Sequence, residues 1–145
     1  DFGRIHVNLF ETAVAQAAGM PAQTCTQAEF CGKGLALEHD GSVYSCDHFV
    51  YPEYKLGTLA QTHLGDLAFS ATQEKFGMDK RDSLPKQCRE CDYLKLCWGE
   101  CPKNRLIKTR EGEVGLNYLC SGLYRFYEHI GPDVVRILRH LGHLR

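Results

Sequence analysis

Apolar residues fall at steps of three and four near the start of the chain: Phe2, Ile5, Leu9, Phe10, Ala13, Val14 and Ala17. That period predicts one helix, with Asp1 as its candidate cap and Gly19 at its end. Pro21 then opens a loop that delivers Cys25 and Cys31. In GLALEHDGSVYSC, residues 34–46, Asp40-Gly41 lies between two short alternating runs. This predicts a hairpin closed by a two-residue turn with positive φ at its centre. Cys46 ends its second strand, and Asp47, His48 and Phe49 follow at once. Residues 50–65 carry Pro52, Gly57 and Gly65 and predict an extended loop or short strand. Asp66–Phe76 predicts a helix with Leu67, Phe69 and Phe76 partly buried, and Gly77–Gln87 a polar surface linker. Cys88–Cys101 reads as a run of turns. From Leu116 the pattern is helical, with Leu119, Leu123, Phe126, Tyr127 and Ile130 on one side. Gly131-Pro132 is expected to break that helix, with Pro132 in the first turn of the next. Val134, Val135, Ile137, Leu138 and Leu141 supply the second apolar face. Tyr118, Tyr124, Phe126 and Tyr127, at helical spacing, are expected in core packing. The sum is a small α+β domain with a β-hairpin and C-terminal helices.

Composition narrows the class. With 145 residues, 43% hydrophobic and 24% charged, the chain reads as one folded, soluble domain with a modest core. The net charge of −1 and scattered basic residues argue against a nucleic-acid partner. The gatherings at Lys103–Arg110 and Arg136–Arg145 are expected to be solvated helix faces. The longest uncharged stretch, Thr12–Ala28, is interrupted by Gln16, Gly19, Pro21 and Gln23 and is too polar to span a membrane. DFGRIHVNLF carries no secretion signal, lacks an initiator methionine and opens inside an amphipathic pattern. The expectation is a cytoplasmic piece of a longer protein.

Eight cysteines dominate the chemistry: Cys25, Cys31, Cys46, Cys88, Cys91, Cys97, Cys101 and Cys120. Four disulfides would suit a secreted domain, but no export signal is visible and cytosolic thiols stay reduced. Four of the cysteines crowd into residues 88–101, which suits ligands converging on a metal. Cys88-x2-Cys91-x5-Cys97-x3-Cys101 brings loop thiolates to one centre, where amides of the same turns can hydrogen-bond sulfur. Upstream, Cys31 and Cys46 frame the hairpin, with Gly41 at a turn position. Downstream, Cys120 follows Cys101 after eighteen residues, early in a helix. Spacing alone suggests that Cys88–Cys101 serves one site, and it leaves open a structural zinc module with two four-cysteine sites and no redox role.

The glycine-spaced pair, then C-x2-C-x5-C-x3-C, then a distant last cysteine, resembles the SPASM domain, the C-terminal extension of many radical S-adenosylmethionine enzymes. CGKGLALEHDGSVYSCDHFVYPEYKLG, LPKQCRECDYLKLCWGECPK and LNYLC resemble the anaerobic sulfatase-maturating enzymes in particular, over about residues 1–130. The resemblance implies two auxiliary [4Fe–4S] clusters with interleaved ligands. Cys25, Cys31, Cys46 and Cys101 would hold one; Cys88, Cys91, Cys97 and Cys120 would hold the other. It also implies that the S-adenosylmethionine site and a third [4Fe–4S] cluster belong only to the full-length enzyme. That cluster's C-x3-C-x2-C triplet is absent, since Cys97-x3-Cys101 would need a cysteine where Asn104 stands. Residues 1–20 are then the last helix of a missing barrel and 21–145 the SPASM domain, inactive alone.

The activity so implied is oxidation of a cysteine or serine of a sulfatase polypeptide to Cα-formylglycine. The domain would exchange electrons with a donor or acceptor protein, and neither nucleic acid nor membrane would take part. Asp47 matches the proposed general base of these enzymes, and an anionic cluster beside it would raise its pKa. A maturase of ribosomal peptides built on the same domain is the nearest alternative. His6, His39, His63, His129, His140 and His143 are expected on the surface or on helix faces, while His48, beside Cys46 and Asp47, is left open.

Overall fold

The computed structural model describes residues 4–144; Asp1, Phe2 and Gly3, and with them the expected Asp1 cap, lie outside it. The chain divides into two compact units. One joins the residues up to Glu29 to those from Leu84 onward, and the other is Phe30–Ser83. Both mix helices with small antiparallel sheets, so the α+β class holds.

In the first unit, α1 spans Asn8–Ala17 and starts later than the apolar period suggested. Ile5 and Val7 are 60% and 54% exposed, so the upstream stripe has too little packing to sustain helix. Its end follows the Schellman pattern. Gly19, at φ +83°, donates to Gln16 O, and Met20 donates to Ala15 O. Two short helices follow, α2 at Lys86–Arg89 and α3 at Leu94–Cys97.

Next comes a hairpin of β1, Ile107–Lys108, and β2, Val114–Leu116, the first strand of which falls in the Lys103–Arg110 gathering expected as a solvated helix face. Its turn is closed by Thr109, whose amide donates to Glu113 O while its hydroxyl accepts the Glu113 amide. Gly112 supplies the left-handed residue, φ +88°.

The last element, α4, runs unbroken from Cys120 to His140 through Pro132. The expected break does not occur because Tyr127, Ile130, Val134 and Leu138 bury one continuous face against Ala13 and Val14 of α1. Pro132 is on the exposed side, where water can serve the Glu128 carbonyl that loses its helical donor. Of the tyrosines expected in the core, Tyr127 is buried and donates to Leu96 O at 3.0 Å. Tyr118 and Tyr124 are exposed instead.

The second unit is a three-stranded antiparallel meander of β3, Ala36–Leu37, β4, Ser42–Tyr44, and β5, Lys55–Thr58. The hairpin forms where expected, but its loop has three residues rather than two. Glu38 donates to Ser42 O, Gly41 donates to Glu38 O, and only Gly41 takes positive φ. Asp40 locks the turn by accepting the amide and hydroxyl of Ser42, both at 2.9 Å, and these bonds hold its carboxyl below the usual range.

Two helices complete the unit, α5 at Leu64–Ala68 and α6 at Ala71–Asp82. The single helix expected over 66–76 is split because Ser70 caps a new one, accepting the Gln73 amide at 3.2 Å. Residues 77–82, expected as a surface linker, continue α6, and Lys80 is only 1% exposed. Phe69, expected partly buried, is 75% exposed, with Lys33 Nζ 4.1 Å above its ring. Phe49, Tyr54 and Phe76 pack edge to face beneath the sheet's connections.

Candidate metal centres

Four thiols of the first unit line one cavity of about 230 Å3. Cys88 comes from α2, Cys91 from the turn after it, Cys97 from the end of α3 and Cys120 from the first residue of α4. Leu116, Leu123, Tyr124 and Tyr127 form apolar wall. Burial pushes the Cys88 and Cys97 thiols up to about 11, and raises Cys120 as well. Neighbouring sulfurs raise each of the three further, while the Arg105 guanidinium works the other way on Cys88. Buried thiols gathered this closely favour a cation among them.

The dimensions speak to which group fits. Four thiolates on one zinc ion, about 2.3 Å from it, would stand about 3.8 Å apart. Among the described residues the only metal-ligating trio within 4.8 Å of one another is Cys46, Asp47 and His48, so these four sulfurs are spread wider than that. A space of 230 Å3 is also many times what one small ion or water needs. Spread thiols around a void suit an iron–sulfur cluster better than a single ion.

The turn between Cys97 and Cys101 has an uncommon backbone. Trp98, Gly99 and Glu100 all take positive φ, at 48°, 67° and 53°. For a residue with a side chain this costs on the order of 1–3 kcal/mol, and it persists only where surroundings over-determine it. The Glu100 amide donates to the Cys97 carbonyl at 2.8 Å, and the Gly99 and Glu100 backbone amides work against the rise that burial causes in the Cys97 thiol. Arg105 donates from Nε to Gly99 O at 3.2 Å and from Nη2 to Trp98 O at 2.9 Å. Glu100 accepts from the side-chain amides of Asn104, at 2.8 Å, and Asn117, at 2.7 Å.

Cys101 does not line the four-thiol cavity; it is 8% exposed in the first unit, where Cys25 is also found, exposed. Cys31 and Cys46 belong to the second unit. None of the eight cysteines is disulfide-bonded. Burial pushes the Cys46 thiol up to about 11, the His48 amide opposes this, and Asp47 adds to it. The thiol donates to Asp47 Oδ1 at 3.2 Å, and that bond holds the exposed Asp47 carboxyl below the usual range.

Helix α6 sets the two cysteine segments of this unit. The Gln73 side-chain amide donates to Gly32 O at 3.1 Å and to Ser45 O at 3.2 Å, the residues flanking Cys31 and Cys46. Sequence reasoning missed Gln73, because it lies in a polar run with a weak apolar period. It also placed Arg105 on a solvated helix face, whereas Arg105 is half-buried in a loop. The CWGEC glycine was the one available signal for the left-handed turn. Of the histidines, His63 acts as a cap, its Nδ1 accepting the Gly65 amide at 3.1 Å.

Four thiols gathered around one cavity are a trait of an iron–sulfur protein. Residues 25–92 match the SPASM family, an iron–sulfur cluster-binding domain, and the chain is similar to the C-terminal part of anaerobic sulfatase-maturating enzymes. The chain is 47% identical over 132 residues to a serine-type anaerobic sulfatase-maturating enzyme of Bacteroides thetaiotaomicron, covering 91% of this chain and 32% of that one. It is 35% identical over 130 residues to the serine-type enzyme of Klebsiella pneumoniae, covering 90% and 31%. Against the cysteine-type enzyme of Clostridium perfringens identity is 24% over 138 residues, covering 95% and 37%. The chain therefore spans about a third of the length of the curated relatives it matches. Its fold matches native anSMEcpe with bound AdoMet and Kp18Cys peptide, with a TM-score of 0.79 at 23% identity, over 96% of this chain and 38% of that one. No helix among the described residues is long and apolar enough to cross a membrane.

Proposed function

We propose that this chain is the auxiliary-cluster domain of an enzyme that oxidises a sulfatase side chain to Cα-formylglycine. The observation that carries the reading is the cavity shared by Cys88, Cys91, Cys97 and Cys120. These four would hold one [4Fe–4S] cluster, and Cys25, Cys31, Cys46 and Cys101 a second. When bound, the clusters supply an acceptor for the electron that leaves the substrate. Residues 1–20 would then close the preceding barrel domain, which carries the S-adenosylmethionine chemistry. The higher identity to serine-type relatives supports a serine as the side chain oxidised.

Asp47 is the residue of this chain assigned to proton transfer. Once a hydrogen has left the substrate β-carbon, loss of the hydroxyl or thiol proton lets one electron leave and a C=O or C=S bond form. An exposed carboxylate fixed next to Cys46 can take that proton. In the full-length enzyme, Asp47→Asn should keep both auxiliary clusters, counted by iron and sulfide analysis, while formylglycine formation falls by about 10²-fold. Near-normal turnover with intact clusters would remove Asp47 from the mechanism. Finding tightly bound zinc and no sulfide after anaerobic preparation would instead support the structural zinc reading.

A further inference from the structure

A groove of about 430 Å3 lies beside the four-thiol cavity and shares Gln87, Leu116, Cys120 and Tyr124 with it. Lys108, Arg110 and Arg125 line this groove, and among the described residues no carboxylate does. The positive balance is local, since the whole chain carries −1. Lys108 and Arg125 are exposed and form no ion pair among the described residues. Arg110 also borders Glu111 and Glu113 in a neighbouring depression, which offsets part of its charge. Between the basic groups stand Ile107, Tyr118 and Tyr124, at 44%, 50% and 41% exposed. Aromatic and apolar side chains set among arginine and lysine have the composition of a protein interface. The cavity's other exposed rim carries Glu90 and Asp92, and neither reaches the groove. An anionic partner is therefore repelled at that rim and drawn to the groove.

We infer that this groove docks a small acidic iron–sulfur carrier protein, with Lys108 and Arg125 as its charge contacts. It would thereby set where electrons enter or leave the centre assigned to Cys88, Cys91, Cys97 and Cys120. The inference rests on the cluster reading above. One electron passes between that centre and the carrier's own cluster; no bond forms or breaks and no proton moves. A carrier seated in the groove abuts Cys120, which lines the cavity as well. Redox encounters of this kind bury little surface, so complementary charge rather than area gives them their rate.

The test uses the full-length enzyme, prepared anaerobically, with a small acidic plant-type ferredoxin as the probe. Iron and sulfide are counted first, and a wild type without auxiliary clusters overturns the cluster reading itself. Binding is then followed by fluorescence anisotropy of labelled ferredoxin, and electron exchange by stopped-flow absorbance, at about 0.15 M salt. Lys108→Glu combined with Arg125→Glu is expected to weaken binding and slow exchange by about 10-fold or more. The difference should close as salt rises. Arg139→Glu is the control, because it makes the same charge change further along α4. At about 1.5 Å of rise per residue it lies about 21 Å from Arg125, beyond two screening lengths of about 8 Å. Its binding should stay within about twofold of wild type. An equal fall in Arg139→Glu overturns the groove in favour of net charge. Unchanged binding in the double variant, with clusters intact, also overturns it, and is the result expected if another part of the full-length enzyme covers the groove. A wild type that binds no ferredoxin overturns it too. If the double variant loses iron, Lys108→Gln combined with Arg125→Gln takes its place, and weakened or unchanged binding decides in the same way.

Discussion

The Cys31 amide donates to the Gly77 carbonyl at 3.1 Å, and a Cβ at position 77 would stand 2.7 Å from the Cys31 carbonyl oxygen. Glycine is thus the residue that lets the Cys31 segment lie on the middle of α6. Alanine normally improves a helix interior by about 0.5–1 kcal/mol. Here the contact is backbone to Cβ, so one of the two chains must shift. Gly77→Ala should destabilise the protein by about 1–3 kcal/mol in chemical denaturation. A stabilised variant would show that the Cys31 segment yields without cost.

Gln73→Leu keeps most of the volume but removes the donor shared by Gly32 O and Ser45 O. Two carbonyls would lose a buried partner, at roughly 1–3 kcal/mol. Part of that is offset, because Gln73 Oε1 is itself buried without a partner. The expected result in the full-length enzyme is lower stability and reduced iron, confined to the cluster assigned to Cys31 and Cys46. Wild-type iron content together with wild-type stability would leave Gln73 without a positioning role.

Pro132 costs α4 the hydrogen bond to Glu128 O, yet the helix continues. Pro132→Ala should restore it and raise stability by about 2–2.6 kcal/mol. The penalty of proline within a helix is about 3 kcal/mol, and the loss of its restraint on the unfolded chain takes back roughly 0.4–1. Urea denaturation measures the difference, and a destabilised variant would mean that α4 depends on proline's shape there.

The buried thiols make the metal-free protein sensitive to alkali. Cys46, Cys88 and Cys97 lie at about 11 in the fold against an ordinary 9.0. The folded state therefore holds their protons more tightly than the unfolded one. The stability this contributes is fully present below about pH 9 and is lost as pH rises through about 11. Melting temperatures of the reduced, metal-free chain should fall across that window, and Cys88→Ser with Cys97→Ser should flatten the fall. An equal fall in the double variant would place the effect elsewhere.

What the sequence disclosed and what it hid divide along physical lines. Residues 8–17, the Asp40-Gly41 turn and the C-terminal helix were readable, because period and turn chemistry are local. Gly131-Pro132 misled for the converse reason: packing of Ile130 and Val134 on α1 outweighs a local helix breaker. The split at Phe69–Ser70 follows from a serine cap inside an otherwise helical run. At the site, cysteine spacing pointed to metal, but which four thiols share a cavity depends on where α4 begins, and spacing does not encode that. Arg105, read by charge patterning as solvated, is tied to a turn whose shape appears only in three dimensions.

Three of the four cavity thiols, Cys88, Cys91 and Cys97, are neighbours in the chain, while Cys120 arrives at the head of a helix twenty-three residues after Cys97. Local contacts form early and distant ones late. During assembly the first three can gather as an open, three-legged nest while α4 is still undocked. The fourth thiol closes it only when α4 settles against α1. Docking of that helix is thus the latch on the centre, and a chain stalled before it would present a site one ligand short, open to exchange with whatever iron carrier or chelator is at hand.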